Sequence, residues 1–154
     1  IEDSNLIYRK EILAQKPILF DGVKEVIKKL KSKYRMIIIS SNNKSSIQKD
    51  LKELGLSDYF SEVIAKDEKI VHPFHKTPAI LNLLERHNVG KDEVVLIGDR
   101  DVDFEHGKEA GLKHIVLVEY GWGYNKEIVS KLGHKQKIIV NRPKDIIKVI
   151  EALN

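Results

Sequence analysis

Cysteine is absent from this chain of 154 residues, which excludes a disulfide framework and any thiolate metal site. No apolar run approaches the roughly 20 residues that a helix needs to cross a bilayer, so no membrane partner is expected. Proline is scarce, with four residues, and there is no low-complexity tract or internal repeat to mark a linker or a solenoid. A surplus of one charge is also missing: Lys plus Arg number 27 against 23 Asp plus Glu. The lysines, such as Lys24, Lys28, Lys29 and Lys31, are scattered through helix-like segments, as on a solvated surface, and no nucleic-acid partner is expected. Methionine first occurs at Met36, and the opening IEDSNLIYRKEILAQ has the character of neither a signal nor a transit peptide. The chain therefore reads as cytoplasmic and as beginning partway along a longer protein.

What is present is an ordinary globular balance, 42% hydrophobic and 32% charged, which suits one domain with one core. Five apolar, β-branched runs recur: Met36 to Ile39, Val63 to Ala65, Val94 to Ile97, His114 to Val118 and Lys137 to Val140. Helical spacing fills the gaps. Asp21 precedes Val23, Val26, Ile27 and Leu30 as the cap of an apolar stripe, and Ser45 to Leu54 runs to a stop at Gly55. Further helices are expected at Thr77 to His87, Asp103 to Ala110 with Gly111 as its stop, and Pro143 to Leu153. Strands alternating with helices give an α/β fold, a parallel sheet with helices on both faces.

The strongest chemical signal is Val94-Val95-Leu96-Ile97-Gly98-Asp99-Arg100-Asp101-Val102-Asp103, a strand running into three aspartates and then a helix. Ligands of parallel α/β sheets collect at the carboxyl ends of strands. Asp99 and Asp103 are placed to turn toward one point, where carboxylate oxygens suit Mg²⁺. The alternative is that Asp101 or Asp103 caps the helix. A second strand ends in Ser40-Ser41-Asn42-Asn43, whose hydroxyls and nearby backbone N–H groups can hold a phosphate or, again, cap a helix. The third signal is His75-Lys76-Thr77-Pro78, where the proline favours a first helical turn and leaves Lys76 on the loop before it. His72 and His75 lack a third ligand at metal-binding spacing.

In this order, Ser40, then Lys76, then Gly98-Asp99 and Asp103, the segments resemble motifs two, three and four of the haloacid dehalogenase superfamily, over nearly the whole chain. The phosphoglycolate-phosphatase-like branch is the most similar, through Asp21-Gly22-Val23, Ile97-Gly98-Asp99-Arg100, Lys108-Glu109-Ala110-Gly111 and Val118-Glu119-Tyr120-Gly121-Trp122-Gly123. Ile138 to Leu153 resembles the end of its core. The resemblance implies a Rossmann-like three-layer core at residues 17–154, with residues 1–16 the last helix of a helical cap. It also implies Mg²⁺ bound by Asp99 with support from Asp103, and phosphate held by Ser40, Ser41, Asn42 and Lys76. Ser40 and Lys76 would act in catalysis, with Asp103 also able to position Lys76. The substrate class would be a small phosphorylated metabolite.

One motif of the pattern is missing. The superfamily's first motif, a strand ending in Asp-x-Asp, should stand before everything here, and Ile18-Leu19-Phe20-Asp21-Gly22-Val23 does not supply it, because Val23 occupies the second aspartate's position. That motif would carry the nucleophile and the central strand. The expectation is therefore a magnesium-dependent phosphatase working through an aspartyl-phosphate when complete, inactive as this chain alone. Two strand edges would be unpaired, suited to the missing N-terminal segment or to self-association. Rival readings are a non-catalytic binding module, or a dehalogenase or phosphomutase of the same superfamily. A topoisomerase-primase type of site leaves Ser40 and Lys76 without a role, and a response-regulator receiver needs an early acidic pair.

Overall fold

The computed structural model describes residue 17 and residues 19–66, 74–133 and 137–153. The expected cap remnant, residues 1–16, and His72 lie outside the described residues. The chain divides into two compact units, Ile1–Phe74 and His75–Asn154.

In the first unit the elements are α1 (Val23–Lys31), β1 (Ile37–Asn43), α2 (Lys44–Leu54), a 3-10 turn (Ser57–Tyr59) and β2 (Glu62–Lys66). β1 and β2 are parallel, in register from Ile37 with Glu62 to Ser40 with Ala65; the register then slips so that Asn43 faces Lys66. Ile47 and Leu51, one turn apart on α2, pack with Leu56 into a small core completed by Ile27, Ile38 and Val63. α2 ends where expected, on Gly55 at φ 70, a left-handed position that glycine takes without steric cost. Asp21 does not cap α1. The N-cap position is Gly22 at φ 89, with no side-chain bond to the helix, because the left-handed turn at the glycine starts the helix one residue beyond the aspartate.

The second unit contains α3 (Lys76–His87), β3 (Val95–Gly98), α4 (Asp101–Glu109), β4 (His114–Val118), α5 (Lys126–Ser130), β5 (Lys137–Val140) and α6 (Pro143–Leu153). Its three strands are parallel in the order β3-β4-β5. The middle strand is the most buried, with Ile115, Val116 and Leu117 each at 1% exposure or less, as a strand covered on both faces requires. α4 lies close against this sheet at Gly107, where an added Cβ would come within 2.8 Å of both Ile115 Cδ1 and Leu96 Cδ2. α6 buries Ile146 and Ile150, again one turn apart.

All five expected strands are present, with ends displaced by at most a few residues. The largest difference is in β1, which continues through Ser40 to Asn43 instead of ending at Ile39. α5 has no counterpart in the expected elements: at five residues it is too short for an apolar period, and its one local signal is Asn125, whose side-chain oxygen accepts the Ile128 N–H at 3.1 Å. Among the described residues β1 pairs only with β2, and β3 only with β4. No helix among the described residues is long and apolar enough to cross a membrane.

Candidate active site

β3 delivers Asp99 and Arg100 to a bend, and α4 starts at Asp101. Asp103, in the first turn of α4, folds its side chain back over the end of the strand and is only 3% exposed. Its Oδ2 accepts the backbone N–H groups of Asp99 at 3.2 Å and Arg100 at 3.1 Å. This is the carboxylate half of a capping box, and a negative charge there also suits the positive end of the helix. Its Oδ1 accepts from the Lys76 ammonium, forming an ion pair in which both side chains are largely buried. The close approach is possible because residue 98 is glycine; a Cβ there would overlap the Asp103 carboxylate.

Asp99 is held from another direction. Its Oδ2 accepts the Gly123 N–H at 2.8 Å. The loop that carries this donor, Gly121-Trp122-Gly123, lies so near that a Cβ on Gly121 would overlap Asp99 and one on Gly123 would overlap the Arg100 side chain. Both glycines are needed for space.

Lys76 is the first residue of α3, with His75 as its N-cap, rather than the end of the preceding loop. Pro78 still falls within the first turn, where a helix needs no N–H from it. Beside Lys76, the Thr77 side chain is buried and its hydroxyl lies 3.1 Å from Glu109 Oε2, 3.3 Å from the His106 carbonyl and 3.0 Å from His75 Nε2. The His75 and His106 rings stack at 4.2 Å between centroids. His106 Nδ1 is buried and has no hydrogen-bond partner among the described residues.

Burial, reinforced by the neighbouring charges of His75 and Lys76 and opposed by Glu109 and Asp103, holds the His106 imidazole below its usual value of 6.5. The neutral ring is thus favoured in the fold. As pH drops through 6.5 the unfolded chain takes up this proton first, so the contribution is present above that pH and is lost below it. Urea midpoints measured at about pH 7.5 and about pH 5.5 are expected to fall in acid, and to fall less in His106→Phe. An equal fall in both proteins would reject His106 as the source.

The phosphate-binding candidates of the other unit gather at the end of β1. Ser40 Oγ accepts the Asn42 N–H at 3.2 Å. Ser41 and Asn42 occupy the register slip between the Ser40 and Asn43 pairings. Asn43 stands at the N-cap of α2, yet makes no side-chain bond to it. Helix capping by its side chain therefore does not account for Asn43.

The donor set can be compared with what Mg²⁺ takes, one or two carboxylates completed by water and substrate oxygens. Asp99 fits, because its Oδ1 receives no hydrogen bond from any described residue while Oδ2 is fixed by Gly123. Asp103 has both oxygens engaged, by Lys76 and by two backbone N–H groups. No three His, Cys, Asp or Glu side chains among the described residues form a cation-binding group. His75 and Thr77 lay inside the third sequence signal without being assigned a role, and His106 and Glu109 were not among the sequence candidates. The spacing of three that puts Asp103, His106 and Glu109 on one face of α4 was a usable signal.

Parallel strands, with carboxylates and a lysine at a strand's carboxyl end, define an α/β protein of the kind that binds ligands at that end of its sheet. The model of the haloacid dehalogenase-like hydrolases matches residues 1–117, and the chain belongs to that family. It is 29% identical over 153 residues to a phosphoglycolate phosphatase of Aquifex aeolicus, covering 94% of this chain and 66% of that protein. It is also 28% identical over 122 residues to the pyrophosphatase PpaX of Halalkalibacterium halodurans, covering 76% of this chain and 56% of that one. The fold is similar to that of a predicted phosphoglycolate phosphatase from Haemophilus somnus, with a TM-score of 0.77, 22% identity, and coverage of 94% of this chain and 62% of the other. A haloacid dehalogenase-like hydrolase from Streptococcus pneumoniae has a TM-score of 0.73 at 19% identity, with 97% and 69% of the two chains covered. The chain spans less than two thirds of the length of the first curated relatives it matches.

Proposed function

We propose that this chain is the greater part of a Mg²⁺-dependent phosphomonoester hydrolase acting on a small phosphorylated metabolite. In this reading residues 17–154 are the catalytic core and residues 1–16 the end of a helical cap. The relatives named for phosphoglycolate and pyrophosphate hydrolysis support that substrate class. The observation that carries the reading is the grouping at the end of β3, where the Lys76 ammonium meets Asp103 beside Asp99, whose carboxylate keeps one oxygen unengaged by described residues.

Each role follows from bonding capacity. Lys76 has three N–H donors and gives one to Asp103, so the others can reach a phosphoryl oxygen. Asp103, with both oxygens engaged, acts as the residue that positions Lys76 and not as a direct ligand. Asp99 is the metal ligand, oriented by Gly123. Ser40 accepts a bond from Asn42, which leaves its hydroxyl hydrogen to donate to phosphate; Ser41 and Asn42 complete that edge. Mg²⁺, when bound, would offset the charge that builds on the phosphoryl oxygens. In a chain that carries the Asp-x-Asp strand, a carboxylate would attack phosphorus in line as the bond to the leaving alcohol breaks, and water would then hydrolyse the aspartyl-phosphate.

The test is hydrolysis of an aryl phosphate by this chain and by a form extended to include an Asp-x-Asp segment. Turnover is expected only in the extended form with Mg²⁺, and Asp99→Asn is expected to lower kcat by roughly 100-fold or more, on the scale of losing a preorganised electrostatic contact. Absence of turnover from both forms, or full activity in Asp99→Asn, would overturn the reading.

A further inference from the structure

Lys76 and Asp103 stand on different helices, so their meeting depends on the register between α3 and α4. A side chain that locks that register next to Lys76 controls where the ammonium sits. Thr77 is placed to do this. It follows Lys76 in the first turn of α3 and is only 7% exposed. Its hydroxyl lies 3.3 Å from the His106 carbonyl and 3.1 Å from the Glu109 carboxylate, both on α4 and one and two turns beyond Asp103. Its third neighbour, His75 Nε2 at 3.0 Å, belongs to a ring stacked on His106.

A hydroxyl has one hydrogen and two lone pairs, and these contacts fit that capacity. The hydrogen goes to Glu109 or to the His106 carbonyl, and a lone pair can accept from His75. The carbonyl of His106 also accepts the Ala110 N–H within the helix, so it keeps a partner without Thr77. Glu109 is 60% exposed at its side chain and can turn to water. Removing the hydroxyl therefore strands no buried group, and what is lost is chiefly the tie between the two helices.

We propose that Thr77 is a positioning residue for Lys76: its hydroxyl ties the start of α3 to α4, and the tie places the ammonium on Asp103. The proposal takes Lys76 as a functional group from the phosphatase reading, and its test needs no turnover, so the two can fail separately.

The test uses this chain and a slow amine-acylating reagent, with labelling at each lysine followed by mass spectrometry. Lys137 provides an internal reference, since its ammonium is anchored in the same unit on the carbonyls of Val129 and Leu132. Thr77→Val keeps the shape and removes the hydroxyl; Thr77→Ser keeps the hydroxyl. In Thr77→Val the labelling rate of Lys76 is expected to rise roughly fivefold, the factor set by a hydrogen bond worth about 1 kcal/mol. Lys137 should not change, and Thr77→Ser should stay near the parent rate at both lysines. Unchanged labelling of Lys76 in Thr77→Val would overturn the proposal. So would a parallel rise at Lys76 and Lys137, since that pattern is general loosening of the unit, and so would a failure of Thr77→Ser to hold the parent rate.

Discussion

Asp103→Ala is expected to cost the His75–Asn154 unit about 3 kcal/mol, at the lower end of the range for breaking a buried ion pair by removing one partner. The lower end applies because the Lys76 side chain is 19% exposed and can turn partly to water once its partner is gone. The Asp99 and Arg100 N–H groups lose their acceptor in the same substitution. Asp103→Asn should cost less than Asp103→Ala, because the charge facing Lys76 is removed in both but the amide oxygen can still serve those N–H groups. Urea midpoints at constant m-value separate the two. Equal losses for Ala and Asn would assign the whole effect to the ion pair and remove the backbone contacts from the account.

Gly98→Ala is expected to be nearly as damaging. An added Cβ would overlap the Asp103 side chain, coming within 2.7 Å of its Cβ and closer to the carboxylate. That carboxylate cannot step aside without releasing Lys76 and both N–H groups. Overpacking of this kind costs about 1–3 kcal/mol, to which the weakened pair adds. Gly133→Ala is the control, since an added Cβ there meets nothing within 4 Å among the described residues, and it should change stability by no more than about 0.5 kcal/mol. Thermal melts that place the two variants together would show that Asp103 is free to move, contrary to its bonding.

The strands were legible because each is a short β-branched run and burial in a parallel sheet rewards that composition. Asp99 and Asp103 were legible as a pair at a strand end. Their different bonding partners were not, because what separates them is Lys76, brought in by the packing of α3 on α4, and two glycine-dependent approaches that no local pattern encodes. Ser40 to Asn43 have weak strand preference, yet pairing with β2 continues across the slip to Asn43, so tertiary pairing overrode composition. Asp21 was misread for a related reason: a good capping residue stood next to a glycine whose left-handed turn moved the cap. Lys76 differed by a single position, as helix boundaries often do.

Three bonds that bring separate segments together around Lys76, Asp99 and Asp103 have similar sequence spans. Lys76 reaches Asp103 over 27 residues, Asp99 reaches Gly123 over 24, and Thr77 reaches Glu109 over 32. Loop-closure entropy grows only with the logarithm of length, so the shortest and longest of these differ by about 0.3 kcal/mol in the cost of bringing their ends together. No one of them has to wait for a distant part of the chain. Chain connectivity is therefore nearly neutral among the three, and the arrangement is set by which side chains fit.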